Sequence, residues 1–301
     1  MALILIGGSL GFGWILLKFK SWKSMGWIIP WILIMLGLSS IWFIYITKNY
    51  GSTYVDEFIK YQIRLFQTED AKHGGTILFH PIALLLGCFP ASVFMWSAFQ
   101  KSTEEKTEFQ HVFFKMMLSC GIIVLTVFTL VQTKIIHYSS MDYYPMTFFS
   151  AFGLSLLIDK QARLNKIQIS LLVLIGSIWG IALTITPYLG VNIEKIKPYI
   201  KDANFLEQLK TPIDWHTWTS LLGILFLALY FYGIFIASRH RLMKGIIFLS
   251  IAFVLLIETI SIYYLPKIEN LVQGSMVEFC KGLQGKDVNT QTLYLKSYNQ
   301  Y

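Results

Sequence analysis

Residues 217–265 read TWTSLLGILFLALYFYGIFIASRHRLMKGIIFLSIAFVLLIETISIYYL, two apolar runs (217–237 and 245–265) split by Arg239, Arg241 and Lys244. A helix needs roughly 20 apolar residues to cross a hydrocarbon core of about 30 Å, and each run meets that length. Basic residues packed into the short turn between two such runs are the pattern of a helix pair returning at the cytoplasmic face of a bilayer. Outward from this pair the pattern recurs at 2–17, 25–46, 81–99, 112–132, 141–158 and 168–187. The sequence therefore predicts an all-α polytopic membrane protein with about eight transmembrane helices. Asp142 and Pro145, near the start of 141–158, make that span the weakest of the set.

Composition agrees. Of 301 residues, 55% are hydrophobic and 14% charged, against about 25% charged in soluble domains. Ionised side chains are expensive in hydrocarbon, which is why a membrane protein is poor in them. The net charge of +8 comes from basic residues in short clusters between apolar runs. Nucleic acid as a partner calls for a continuous basic face, so it is excluded. Cys88 and Cys120 lie inside apolar runs, and no pair among Cys88, Cys120 and Cys280 has metal-ligand spacing or implies a disulfide framework.

Lysines and arginines orient the spans. Lys18, Lys20 and Lys23 follow the first; Lys101, Lys106 and Lys115, then Lys160, Arg163 and Lys166, then the 239–244 cluster occupy alternate loops. The remaining loops are longer and hold Asp56, Glu57, Glu69, Asp70, Glu194, Asp202, Glu207 and Asp214. The basic loops are read as cytoplasmic, which puts the long loops, the N-terminus and residues 266–301 outside, periplasmic to an inner membrane. The first span has neither a basic start nor a cleavage site, so it is not a secretory signal. Residues 287–295 read as a strand, and one strand cannot bury a core. The expectation is a chain cut at both ends, or completed by partner chains, with 1–265 a transmembrane domain and 266–301 the start of a C-terminal domain.

Two external loops have structure of their own. Residues 54–68 set Val55, Phe58, Ile59, Gln62, Ile63 and Phe66 along one stripe, with Leu65 off it, while Asp56, Lys60 and Arg64 follow at intervals of four. An apolar stripe opposite a charged face suits a helix lying in the membrane interface, within a loop spanning 47–80. Residues 188–216, punctuated by Pro198 and Pro212 after Pro187, are read as a small external cap.

Chemistry is best sought in 128–145, FTLVQTKIIHYSSMDYYP. Lys134, His137 and Tyr138 would share one side of a helical continuation. The lysine offers a point charge to a phosphate, and the histidine and tyrosine can donate hydrogen bonds to it. The competing reading is a snorkelling lysine in an interfacial aromatic belt. A second stretch, 69–81, is EDAKHGGTILFHP; His73 and His80 could meet a metal or substrate, or be ordinary loop histidines, and their spacing matches no standard metal site. Glu258 is the carboxylate deepest within a span, either a functional group or a hydrogen-bonded helix contact. Nucleotide-binding glycine motifs, a nucleophile elbow and zinc signatures are absent.

In order, an interfacial helix with Asp-Glu-Phe (56–58), a His-Gly-Gly loop (73–75), His80-Pro81 opening a span, and Thr133-Lys134-x-x-His137-Tyr138 ahead of Tyr144-Pro145 resemble the bacterial GT-C membrane glycosyltransferases. The branch is that of the lipid A aminoarabinose transferases, related to protein O-mannosyltransferases. The tail, LQGKDV and LKSY within 283–298, is similar to the start of that branch's periplasmic domain. The resemblance covers most of the chain, as the later half of such an enzyme. It implies transfer of a sugar from a polyprenyl-phosphate carrier to a lipid or glycan acceptor at the outer face of the membrane. It implies Lys134 near the lipid phosphate, Tyr138 lining the substrate, and His73 and His80 in a loop over the cavity. The family's catalytic acid lies in a first external loop, ahead of the residues seen here. Asp56-Glu57 sits on the interfacial helix and is not assigned that role, so this chain alone is expected to be inactive. No cofactor is identified, and a divalent metal stays open. The alternatives are a transporter or lipid flippase, which calls for polar midplane residues and internal repeats, and a non-catalytic scaffold binding polyprenyl lipids.

Overall fold

The structure, a computed structural model, describes residues 2–19, 26, 28–69, 74–100, 107–159, 163–209, 211–239 and 241–285. Regular structure among them is helical throughout, and the chain divides into two units at Leu154/Ser155.

The first unit holds α1 (Ala2–Leu16), α2 (Ile28–Tyr50), α3 (Ser52–Gln67), α4 (Phe79–Gly87), α5 (Ala91–Phe94) extended by a 3-10 turn (Met95–Phe99), and α6 (Glu108–Leu130). A second 3-10 turn (Ile136–Asp142) leads into α7 (Tyr143–Asp159), which carries the boundary between units. Thr107 starts α6 with a capping box: its hydroxyl accepts from the Gln110 amide at 3.3 Å, and the Gln110 side chain accepts from the Thr107 amide at 3.0 Å. α1 packs on α6 through small residues, Gly13 lying against Met116 and Ser119. The Ser119 hydroxyl donates to the Ser9 carbonyl at 2.5 Å, and Lys115 Nζ donates to the Leu16 carbonyl at 2.6 Å, closing the end of α1. Leu5, Val124, Phe128 and Val131 form the core where these helices meet. None of α2's apolar window is buried, which fits a helix whose side chains are covered by lipid.

The second unit holds α8 (Lys166–Val191), α9 (Ile193–Ile196), α10 (Ala203–Gln208), α11 (Ser220–Ser238), α12 (Leu242–Thr259), a π-turn (Ile260–Tyr264) and α13 (Leu265–Leu283). α8, α11 and α12 pack closely because glycines admit the neighbouring helix, as membrane helices commonly do. Gly176 faces the Tyr230 ring, Gly233 faces the Leu249 backbone and Gly245 the Ala237 backbone. Buried hydroxyls need partners: Tyr230 donates to the Leu172 carbonyl at 2.9 Å and Tyr264 to the Leu183 carbonyl at 2.6 Å.

Five helical stretches are long and apolar enough to cross a membrane: Ile29–Tyr50, Glu108–Leu130, Lys166–Val191, Thr217–Ser238 and Leu242–Gly274. They become six if Phe79–Gly87 and Ala91–Phe99, bent by 107° at Cys88–Pro90, count as one broken span. The protein is thus an all-α, multi-pass membrane fold. Among the described residues each of the eight predicted spans falls mainly on helix, but α1 and α7 are shorter than the five, and 81–99 is broken. The last span outruns its predicted end at 265: the helix continues to Leu283, past the expected domain boundary. Pro266 is tolerated there because it sits in the first turn of α13, just after the π-turn, where no α-type hydrogen bond is lost.

The interfacial helix predicted over 54–68 is α3. Leu65, off the apolar stripe, is its buried residue, while Phe58, Ile59, Ile63 and Phe66 of the stripe stay exposed. The predicted cap over 188–216 is partly helical, from the last turn of α8 through α9 and α10. The predicted strand at 287–295 lies outside the described residues.

Candidate functional site

The end of α6 and the connection after it draw three distant segments together. The Gln132 amide donates to the Phe66 carbonyl at 3.2 Å and the Thr133 amide to the Leu65 carbonyl at 3.4 Å, docking the connection on the end of α3. The Thr133 hydroxyl adds a bond to the Thr68 carbonyl at 2.7 Å. Gly75 lies over the Lys134 stem, so near that a Cβ there would stand 3.1 Å from Lys134 Cγ. A side chain at 75 would require the lysine stem to give by a few tenths of an ångström.

Lys134 turns inward. It is 5% exposed, and Nζ donates to the carbonyls of Thr129 and Val131 at 2.6 Å each and of Phe128 at 3.3 Å. Two of these belong to the last turn of α6, where carbonyls lack helical partners and the helix dipole favours a cation. Burial lowers the affinity of the ammonium for its proton, and the carbonyls oppose that. The charge expected to meet a phosphate is occupied in closing the helix.

His80, fully buried, follows the Gly-Gly loop on α4. Its Nδ1 is 3.1 Å from the Ser139 hydroxyl, which also lies 3.3 Å from the Ile136 carbonyl. His80 Nε2 is buried and has no hydrogen-bond partner. His80 packs edge-on to Phe79 and near Phe128, and Phe128 lies 5.5 Å from the Tyr138 ring. The sequence-predicted residues therefore divide. Lys134, His80 and Tyr138 gather around the end of α6. His137 meets Tyr138 edge-on but is exposed. His73 lies outside the described residues.

Asp142 is the residue that sequence reasoning passed over. It closes the second 3-10 turn, ahead of α7 and outside the long apolar helices. It is 2% exposed, and neither carboxylate oxygen has a hydrogen-bond partner. The residue borders a cavity of about 340 Å³ between α4, the bend after it, α6 and α7, with walls that include Leu85, Trp96, Ile122 and Met146, while both carboxylate oxygens stay covered. The available signal was an acid inside an apolar run, which reads as a flaw in a span until its burial is seen. Glu258, the acid singled out instead, is exposed on α12.

In the second unit an open cavity of about 420 Å³ is lined by Val191, Trp215, His216, Thr217 and Trp218. Among the described residues no group of three His, Cys, Asp or Glu side chains is placed to hold a metal ion. Comparison of the chain with models of protein families, with curated proteins and with solved structures returned no match.

Proposed function

We propose that this chain is the membrane-embedded portion of a glycosyltransferase that moves a sugar from a polyprenyl-phosphate carrier to a lipid or glycan acceptor at the periplasmic face of an inner membrane. On this reading it crosses the bilayer eight times, through the five long helices, the bent pair, α1 and α7. The supporting observation is convergence. The interfacial helix, the Gly-Gly/His-Pro stretch and the Thr-Lys-x-x-His-Tyr stretch carry the resemblance, and they meet around Lys134. Departure of a polyprenyl phosphate requires stabilisation of phosphate charge. Lys134 serves this indirectly, by fixing the turn that presents exposed His137 beside Tyr138. Removal of the acceptor's proton requires a carboxylate, and none is assigned that role here.

Donor binding tests the reading without turnover. The chain, in nanodiscs, is irradiated with a photoreactive polyprenyl phosphate or the matching polyprenol. The phosphate should label residues 131–144 about tenfold more strongly, a difference of about 1.4 kcal/mol. His137→Ala should lower labelling several-fold with unfolding unchanged, whereas Lys134→Ala should lower both labelling and thermal stability. Equal labelling by phosphate and alcohol would remove the donor assignment. Transbilayer movement of the lipid in proteoliposomes without phosphate-selective labelling would replace it with the flippase reading.

A further inference from the structure

We propose that the open cavity of the second unit binds carbohydrate, taking one pyranose ring flat against the Trp218 indole with its hydroxyls on His216 and Thr217. The inference uses different residues from the donor assignment and stands apart from it.

Three segments build the site. The end of α8 supplies Val191, and the stretch ahead of α11 supplies Trp215, His216, Thr217 and Trp218. The π-turn backs them. Tyr263 and Tyr264, adjacent in that turn, both face the stretch: Tyr263 lies edge-on to Trp218 at 5.6 Å, and Tyr264 is 6.2 Å from Trp215. Short π-turns within helices are frequent at functional sites. Trp215 is the fixed wall. Gly190 lies so near that a Cβ there would stand 2.4 Å from the indole, and Lys267 Nζ is 5.3 Å from the ring centre. Trp218 is the open wall, 55% exposed. The volume, about 420 Å³, falls within the range of ligand pockets, about 300–1,000 Å³.

The wall selects the ligand by being apolar in one part and polar in another. A pyranose has the same division: its C–H groups make an apolar face that packs on an indole, while hydroxyls ring its edge. His216, Thr217 and Trp218 are all exposed, so the indole and the polar side chains are within a ligand's reach. His216 Nε2 lies 3.4 Å from an Asp214 carboxylate oxygen, and the Lys267 ammonium donates to the Asp214 carbonyl. Donors and acceptors thus stand side by side at the rim. A sugar hydroxyl is both donor and acceptor and can bridge such a pair, whereas a phosphate diester offers acceptors alone and an acyl chain offers neither. Tryptophan at the start of a span is also the mark of an interfacial aromatic belt. Here the indole shares its cavity with an imidazole and a hydroxyl, and Trp215 beside it is packed against Gly190 and Lys267 within the protein.

Three photoreactive probes carrying the same diazirine, a cellobioside, a sorbitol ether and a glycerol phosphate diester, test this on the full chain. Phosphatidylcholine nanodiscs keep sugar-headed detergents out of the experiment. Cross-linked peptides are mapped by mass spectrometry. The cellobioside should label 188–192 and 214–219 about tenfold more than either other probe, and unlabelled cellobiose should compete it away. Trp218→Ala should abolish that preference, Trp218→Phe should keep part of it, and His216→Ala should lower it several-fold. Thermal unfolding of each variant separates loss of the site from loss of the fold, and Trp218→Phe keeps an aromatic ring against Tyr263. Equal labelling by cellobioside and sorbitol ether, or a preference that survives Trp218→Ala, would overturn the proposal and leave an aromatic belt. Strongest labelling by the phosphate diester would overturn it in favour of an anionic lipid headgroup beside Lys267. The phosphate-selective labelling of 131–144 is unaffected by any of these outcomes.

Discussion

At the residue scale, Lys134 and Asp142 stand on one short connection, and burial acts on them in opposite ways. Lys134 finds three carbonyls and becomes part of a helix terminus. Asp142 finds none. Neither fate was legible locally. The sequence set Lys134, His137 and Tyr138 on one helical side, but the chain after α6 makes an extended connection before its 3-10 turn, which turns the lysine inward and leaves the histidine out.

At the element scale, helices were legible from apolar length, and their close approaches were not. Gly245 shows the difference. A Cβ at this position would lie 2.6 Å from the Ala237 backbone amide, so α11 and α12 meet backbone to backbone. Gly7, on α1, has nothing within 4 Å. Gly245→Ala should destabilise by about 1–3 kcal/mol, the usual range for overpacking, while Gly7→Ala should be neutral or slightly stabilising because alanine favours helix. Thermal midpoints compared side by side decide this, and equal midpoints would contradict the backbone contact. α3 gives the same lesson in reverse. Its stripe is apolar and exposed, and the off-stripe Leu65 is buried, because the connection after α6 docks on that side of the helix end.

For the whole molecule, the alternation of basic and acidic loops makes a topological prediction. In a chain whose three cysteines are replaced by serine, Thr53→Cys and Thr211→Cys should react with a membrane-impermeant maleimide added outside spheroplasts. Thr107→Cys and Asn165→Cys should react only after lysis. Labelling of all four from outside would rule out the eight-span arrangement while leaving the multi-pass fold in place. Hydropathy already separates five strong helices from the shorter α1 and α7 and the bent pair, so these are the elements on which the count turns.

The sequence by itself determined the membrane and the apolar helices that cross it, because insertion depends on apolar length summed along a continuous stretch. It also marked the two stretches whose polar residues converge. Only the tertiary structure decided that His80 meets Ser139, 59 positions away, that the expected phosphate ligand is spent on a helix end, and that an acid read as a flaw borders a cavity. Hydrogen bonding and desolvation act between residues brought together by folding, and their distance along the chain carries no trace of that.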